Sequence, residues 1–236
     1  MDFSMIYMKQ SLSEMAVVYI KNKILSGEFK SGDKLIESDI SKSLGISRAP
    51  VREAMRELNI QGMIVFSPRK GNYVLATSLK EIMEVFDIRI SLEVKMLELI
   101  VEGNLLSGQD FDFLYDLTEK MRILSDVDLE QHEKIYQLNI CDLKFHNYLW
   151  DASKSLVRKK IIEGLFFQLL IAMNQDLITL GTFQEKSAEH LRIIEALEKK
   201  DVESAITHFR VHLDNYMQAA YTLMAKEPSD PADSFF

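Results

Sequence analysis

ISRAPVREAMRELNIQGMIVFSPRKGNYV, from Ile46 to Val74, joins a helix pattern to a hairpin pattern within 29 residues. Ser47 is of a type that caps helix N-termini, and Pro50 falls in the first turn, where a missing N–H is tolerated. Val51, Ala54, Met55 and Leu58 follow the i, i+3/i+4, i+7 spacing of one buried helix face. Arg48, Arg52 and Arg56 recur every fourth residue and form a separate basic stripe that begins at the helix N-terminus. Gly62 ends the pattern, and two β-rich pieces then flank Pro68, Arg69, Lys70 and Gly71, which predicts a basic-tipped hairpin. A helix with one apolar face and an arginine stripe at its start suits the DNA major groove. A basic face alone would fit a solvated surface helix equally well, so the preceding residues carry weight.

Those residues predict an apolar-rich helix over Leu12–Ser26, a turn containing Gly27 and Gly32, and a short helix over Glu37–Leu44 stopped by Gly45. Helix, short helix, glycine turn, longer helix and hairpin together make a winged helix-turn-helix.

Residues 12–74 resemble the winged-helix domain of GntR-type bacterial transcription regulators. The resemblance rests on Ile24, Gly27, Gly32, Leu35, Glu37, Ile40, Leu44, Gly45, the run Ser47-Arg48-Ala49-Pro50-Val51-Arg52-Glu53-Ala54, and Leu58, Gly62, Gly71 and Val74. It implies operator contacts from Ser47, Arg48, Ala49, Pro50 and Arg52 at the start of the recognition helix, and from Arg69, Lys70 and Gly71 at the wing tip. Ser38 and Lys70 depart from the family pattern, in which arginine is common at both positions.

The chain has 236 residues and 47% hydrophobic content, enough for two compact domains. Its single cysteine, Cys141, excludes an internal disulfide, fits a reducing compartment and reads as a buried structural thiol. No apolar run reaches the roughly 18 residues of a membrane span, and no secretion signal is evident, so a cytoplasmic location is expected. The formal net charge of −8 is unevenly spread: residues 1–77 hold 11 Lys+Arg against 8 Asp+Glu, a net of +3, leaving −11 on residues 78–236. The basic part is therefore the expected nucleic-acid reader. We expect a DNA-binding domain over 1–77, an all-helical effector and dimerisation domain over 78–226, and a disordered tail over 227–236.

From Ser78 onward the pattern is helical. Ser78 and Glu81 have capping-box spacing and open a helix over Leu79–Glu102. Further helices are expected near 108–124, 129–151, 154–178, 184–199 and 201–225. Short turns between long amphipathic helices predict an antiparallel bundle, so the fold class is mainly α with a small β-wing.

Asp142 and His146 lie four apart, on a helix face shared with Leu138, Phe145 and Leu149. His190 shares a face with Ile194 and Leu197, and His212 lies at the edge of the Phe209, Leu213, Tyr216 face. His208 is an alternative to His212, but it projects about 40° further from that face. A lone inward histidine is more often a hydrogen-bonded core residue than a ligand. An Asp-x-x-x-His pair joined by two further inward histidines instead makes a first shell for a divalent transition metal, zinc before nickel or manganese.

Residues 79–225 resemble the FCD-type effector domain of one GntR branch, through Arg89 and Glu93, Asp142-Leu-Lys-Phe-His146, the stretch from His190 to Ala196, and His212-Leu213. The resemblance implies a bundle metal held by Asp142, His146, His190 and His212. It also implies a homodimer on a near-palindromic operator and a small-carboxylate effector, with repression as the default response. Arg89 could hold an effector carboxylate or pair with Glu93; Asn174 and Gln168 are further pocket candidates. Two other readings are a metal-free regulator sensing an acyl thioester and a helical metalloenzyme. Against the enzyme stand the absence of a motif-placed general base and the unexplained DNA-reading half.

Overall fold

The computed structural model describes residues 11–173 and 183–224. Those residues form nine helices and one three-stranded sheet. In chain order they are α1 (Leu12–Leu25), β1 (Lys34–Leu35), α2 (Glu37–Leu44), α3 (Arg48–Ile60), β2 (Ile64–Ser67), β3 (Gly71–Val74), α4 (Leu79–Glu102), α5 (Gly108–Ile123), α6 (Gln131–Ala152), α7 (Leu156–Met173), α8 (Phe183–Glu198) and α9 (Val202–Met224).

The first half packs around α3. Val51, Ala54, Met55 and Leu58 are all buried, against Ala16, Val17, Ile20 and Ile24 of α1 and Ile40 of α2. Gly45, at φ 67°, closes α2, and Ile46 N–H bonds back to the Ser41 carbonyl, so the α2–α3 turn needs a left-handed residue. Antiparallel β2 and β3 make the wing, with Ser67 opposite Gly71. The loop between them holds Pro68, Arg69 and Lys70; Arg69 sits at φ 67° while Lys70 N–H bonds the Ser67 carbonyl. Strand β1 was not legible in the sequence: its two residues pair with β3 and complete the order β1-β3-β2.

The expected cap at Ser47 needs correction. Ser47 has the extended backbone of an N-cap, but its hydroxyl makes no capping bond. The third helical position is Pro50, which has no N–H to donate. The box at Ser78 does form: its N–H donates to Glu81 Oε2 at 2.8 Å, and its Oγ accepts from Glu81 N–H at 3.3 Å.

Helices α4 to α9 build a second core, with Phe86, Leu114, Met121, Phe145, Ile193, Ile194, Phe209 and Leu213 fully buried. A third cluster bridges the two halves: Leu25, at the end of α1, packs with Met96, Trp150, Ile162 and Phe166. Cys141 is free and buried, as expected. No helix of the described residues is long and apolar enough to cross a membrane. The expected end of the 154–178 helix and the 227–236 tail lie outside the described residues.

Candidate functional site

Two surfaces hold the residues singled out by sequence. On the first, Ser47, Arg48, Ala49 and Arg52 are exposed at the start of α3, with Pro50 half-buried beside them. Arg69 and Lys70 are exposed at the wing tip, and Gly71 is half-buried at the start of β3. Arg52 is not free in the absence of DNA. Its Nε and Nη2 donate to the two carboxylate oxygens of Glu37 at 3.1 and 2.9 Å, a bidentate pair across the α2–α3 turn. That pair draws Glu37 below its usual carboxylate range.

The second surface is internal. Asp142 and His146 from α6, His190 from α8 and His212 from α9 are all buried, and one donor atom from each lies within 4.8 Å of every other. His208, the alternative to His212, is not in this cluster. Each imidazole is anchored by Nδ1. His146 Nδ1 lies 3.1 Å from Glu93 Oε2, His190 Nδ1 2.8 Å from the Lys186 carbonyl, and His212 Nδ1 2.9 Å from Glu189 Oε2. These partners can only accept, so each ring carries its proton on Nδ1 and turns the Nε2 lone pair inward.

The consequence is a convergence of electron pairs. His146 Nε2 and His212 Nε2 face each other at 3.3 Å. Among the described residues His190 Nε2 is buried without a hydrogen-bond partner, although Asp142 Oδ1 lies 3.1 Å away. Three lone pairs and a carboxylate oxygen repel one another unless a cation lies between them. Metal–ligand distances of about 2.0–2.2 Å give ligand separations compatible with this cluster. The donor set therefore fits a divalent transition metal.

Burial opposes ionisation of Asp142, but the positive charge of His146, His190 and His212 in their protonated forms outweighs it and holds the carboxyl below its usual range. Burial pushes His212 down to about 3. At neutral pH this leaves the carboxylate ionised and His212 neutral, the states that bind metal.

Of the outer partners, Glu189 was missed in the sequence, and Glu93 was named only as a partner of Arg89. Glu189 accepts from His212, from Asn215 Nδ2 at 2.7 Å and from Lys186 Nζ at 3.3 Å. Glu93 accepts from Arg89 Nε at 2.6 Å, from Trp150 Nε1 at 2.8 Å and from His146. Burial would raise the Glu93 carboxyl, but Arg89 and His146 bring it down to about 2. Arg89 thus takes the ion-pair role, yet among the described residues its Nη2 is buried without a partner, and its guanidinium lies 4.6 Å from the Phe166 ring centre. Gln168 does not join the cluster; its Nε2 lies beside Gly62, 3.5 Å from where a β-carbon would stand. Asn174 lies outside the described residues.

Residues 12–74 match the family described as bacterial regulatory proteins, gntR family, and residues 84–215 match the FCD domain. The chain belongs to the GntR family of transcription regulators, in its FCD branch. It is 30% identical over 200 residues to the uncharacterized HTH-type transcriptional regulator YdhC of Bacillus subtilis (strain 168), covering 83% of this chain and 85% of that one. It is 24% identical over 203 residues to the HTH-type transcriptional repressor GlaR of Escherichia coli (strain K12), covering 83% and 89%. The solved structure of E. coli McbR/YncC shares the fold, with a TM-score of 0.76 at 22% identity over 90% of this chain and 98% of that one. The matched domains and relatives are those of DNA-binding regulators, not of enzymes.

Proposed function

We propose that this GntR regulator is a cytoplasmic, metal-dependent repressor that binds a near-palindromic operator as a homodimer and responds to a small carboxylate. Residues 1–77 read DNA, and residues 78–226 hold the metal, bind the effector and dimerise. Ser47, Arg48, Ala49, Pro50 and Arg52 enter the major groove, while Arg69, Lys70 and Gly71 follow the neighbouring backbone. Repression is supported by the relative GlaR, a repressor by name.

The observation that carries the sensing half is the inward turn of three Nε2 lone pairs onto Asp142, with the protons held outside by Glu93, Lys186 and Glu189. Asp142, His146, His190 and His212 would hold zinc, with nickel or manganese as alternatives. When bound, the metal supplies a Lewis-acidic position for carboxylate oxygens. The unpartnered Nη2 of Arg89 supplies a hydrogen-bond donor for the same anion, and guanidinium geometry favours a carboxylate. Asn174 is retained as a further effector contact.

Calorimetric titration of zinc-loaded and zinc-stripped protein with a panel of hydroxycarboxylates and dicarboxylates tests this reading. It requires binding by the loaded form only, weakened in Arg89→Lys. Equal binding with and without zinc would refute it.

A further inference from the structure

Helix α6 has two working faces. Asp142 and His146 point into the metal cluster. The adjacent face grips the end of α1: Tyr136 OH donates to Asn22 Oδ1 at 3.2 Å, Asn139 Nδ2 donates to the Leu25 carbonyl at 3.0 Å, and Trp150 belongs to the same buried cluster as the Leu25 side chain. One carboxylate oxygen joins the two faces. Glu93 Oε2 accepts from both His146 Nδ1 and Trp150 Nε1, at 3.1 and 2.8 Å. Helix α1 in turn shares the core of the recognition helix α3 through Ala16, Val17, Ile20 and Ile24. A cleft of about 500 Å³ lies beside this junction, between Lys21 and Gln61 on one side and Asn147 and Lys160 on the other.

We infer that Trp150 is a positioning residue that couples the metal centre to the DNA-reading half, through its hydrogen bond to Glu93 on one side and the buried cluster it shares with Leu25 on the other. The inference rests on the metal reading above. A cation on His146 Nε2 makes the Nδ1 proton more acidic and tightens its bond to Glu93. Glu93 then has a fixed position from which to hold the indole, and the indole fixes the floor under Leu25. Without the cation the repelling Nε2 atoms loosen His146, and the seat of α1 loosens with it. Coupling of this kind works in both directions, so DNA held by α3 also tightens the metal site.

Trp150 is the only tryptophan of the chain, so its emission reports on its own surroundings. The test titrates metal-stripped full-length protein with zinc chloride. It reads bound zinc by elemental analysis, indole emission, and hydrogen exchange of the α1 amides from Ile20 to Gly27. In the unmodified protein zinc should bind, change the emission saturably and slow that exchange by at least about fivefold, the lower range of coupling between linked sites. Trp150→Phe should keep its zinc and lose the exchange response. Leu25→Ala should keep both zinc and the emission change and lose only the exchange response. Zinc bound with α1 exchange unchanged, or an exchange response that survives in either variant, would overturn the coupling and leave the metal reading standing. No zinc bound by the unmodified protein would overturn the metal reading and the coupling with it.

Discussion

His146 and His212, 66 residues apart in sequence, meet Nε2 to Nε2 at 3.3 Å, and the Nδ1 anchor of each ring leaves neither Nε2 a proton to share. Their protons are committed on the far side of each ring, to Glu93 and Glu189. An apolar core would not converge three lone pairs on a carboxylate, because each buried acceptor without a donor costs about 1–3 kcal/mol. The arrangement makes physical sense around a cation.

The outer carboxylates should therefore matter for metal affinity although they touch no metal. Glu189→Gln removes the charge that fixes the His212 tautomer and orientation, and should weaken zinc binding by about 10–100-fold. Competition with a chromogenic chelator measures this. An unchanged affinity would mean that Glu189 serves only the packing of α8 against α9.

In the metal-free protein, His212 makes stability pH-dependent. Its folded pKa of about 3 lies below the ordinary 6.5 because burial disfavours the imidazolium. Between those values the unfolded chain binds more protons than the folded one, so stability falls as pH drops from about 6.5 towards 3. Urea unfolding across that range should show the slope, and His212→Gln should reduce it by up to about one proton. An identical slope in the variant would place the acid sensitivity elsewhere.

On the DNA-reading face, Arg48→Ala and Arg52→Ala should each weaken operator binding by about 1–3 kcal/mol if they reach base edges. Glu37→Ala should cost less than Arg52→Ala. The Arg52–Glu37 pair is solvent-exposed, so water and salt screen it and it contributes little. Lys70→Ala should instead lower affinity for all sequences and reduce the salt dependence by about one ion. Fluorescence anisotropy with labelled operator DNA at several salt concentrations separates these behaviours.

The α2–α3 turn depends on one backbone conformation. Gly45 sits at φ 67° with nothing within 4 Å of where a β-carbon would stand, so Gly45→Ala would suffer from its backbone rather than from a clash. The left-handed region costs an L-residue about 1–2 kcal/mol, and the unfolding midpoint should drop accordingly. A variant as stable as the parent would show that the turn adapts.

What could be read from the sequence was periodic or local. The spacing of Val51, Ala54, Met55 and Leu58 located the buried face of α3, and the 40° argument separated His212 from His208. Gly45 and Gly62 marked helix ends because few other residues adopt a positive φ. What escaped was contact between distant segments. Glu93 reaches His146 across 53 residues and Glu189 reaches His212 across 23, with no shared period to announce either. Strand β1 is two residues long and owes its form to β3. Nothing in the sequence tied Trp150 to the site, and only the fold shows that its N–H ends on the carboxylate that holds His146. Ser47 was the opposite case: residue type suggested a cap, and Pro50 three residues later removes one of the N–H groups it would have bonded.

The most direct test of the metal centre is the metal content of protein purified without chelator, beside a variant carrying His146→Ala and His190→Ala. The account predicts one equivalent of zinc, nickel or manganese per chain in the parent and none in the variant, with helical content unchanged in both. No metal in the parent, even after incubation with zinc, would contradict it and make Asp142, His146, His190 and His212 a polar core with no cation to bind.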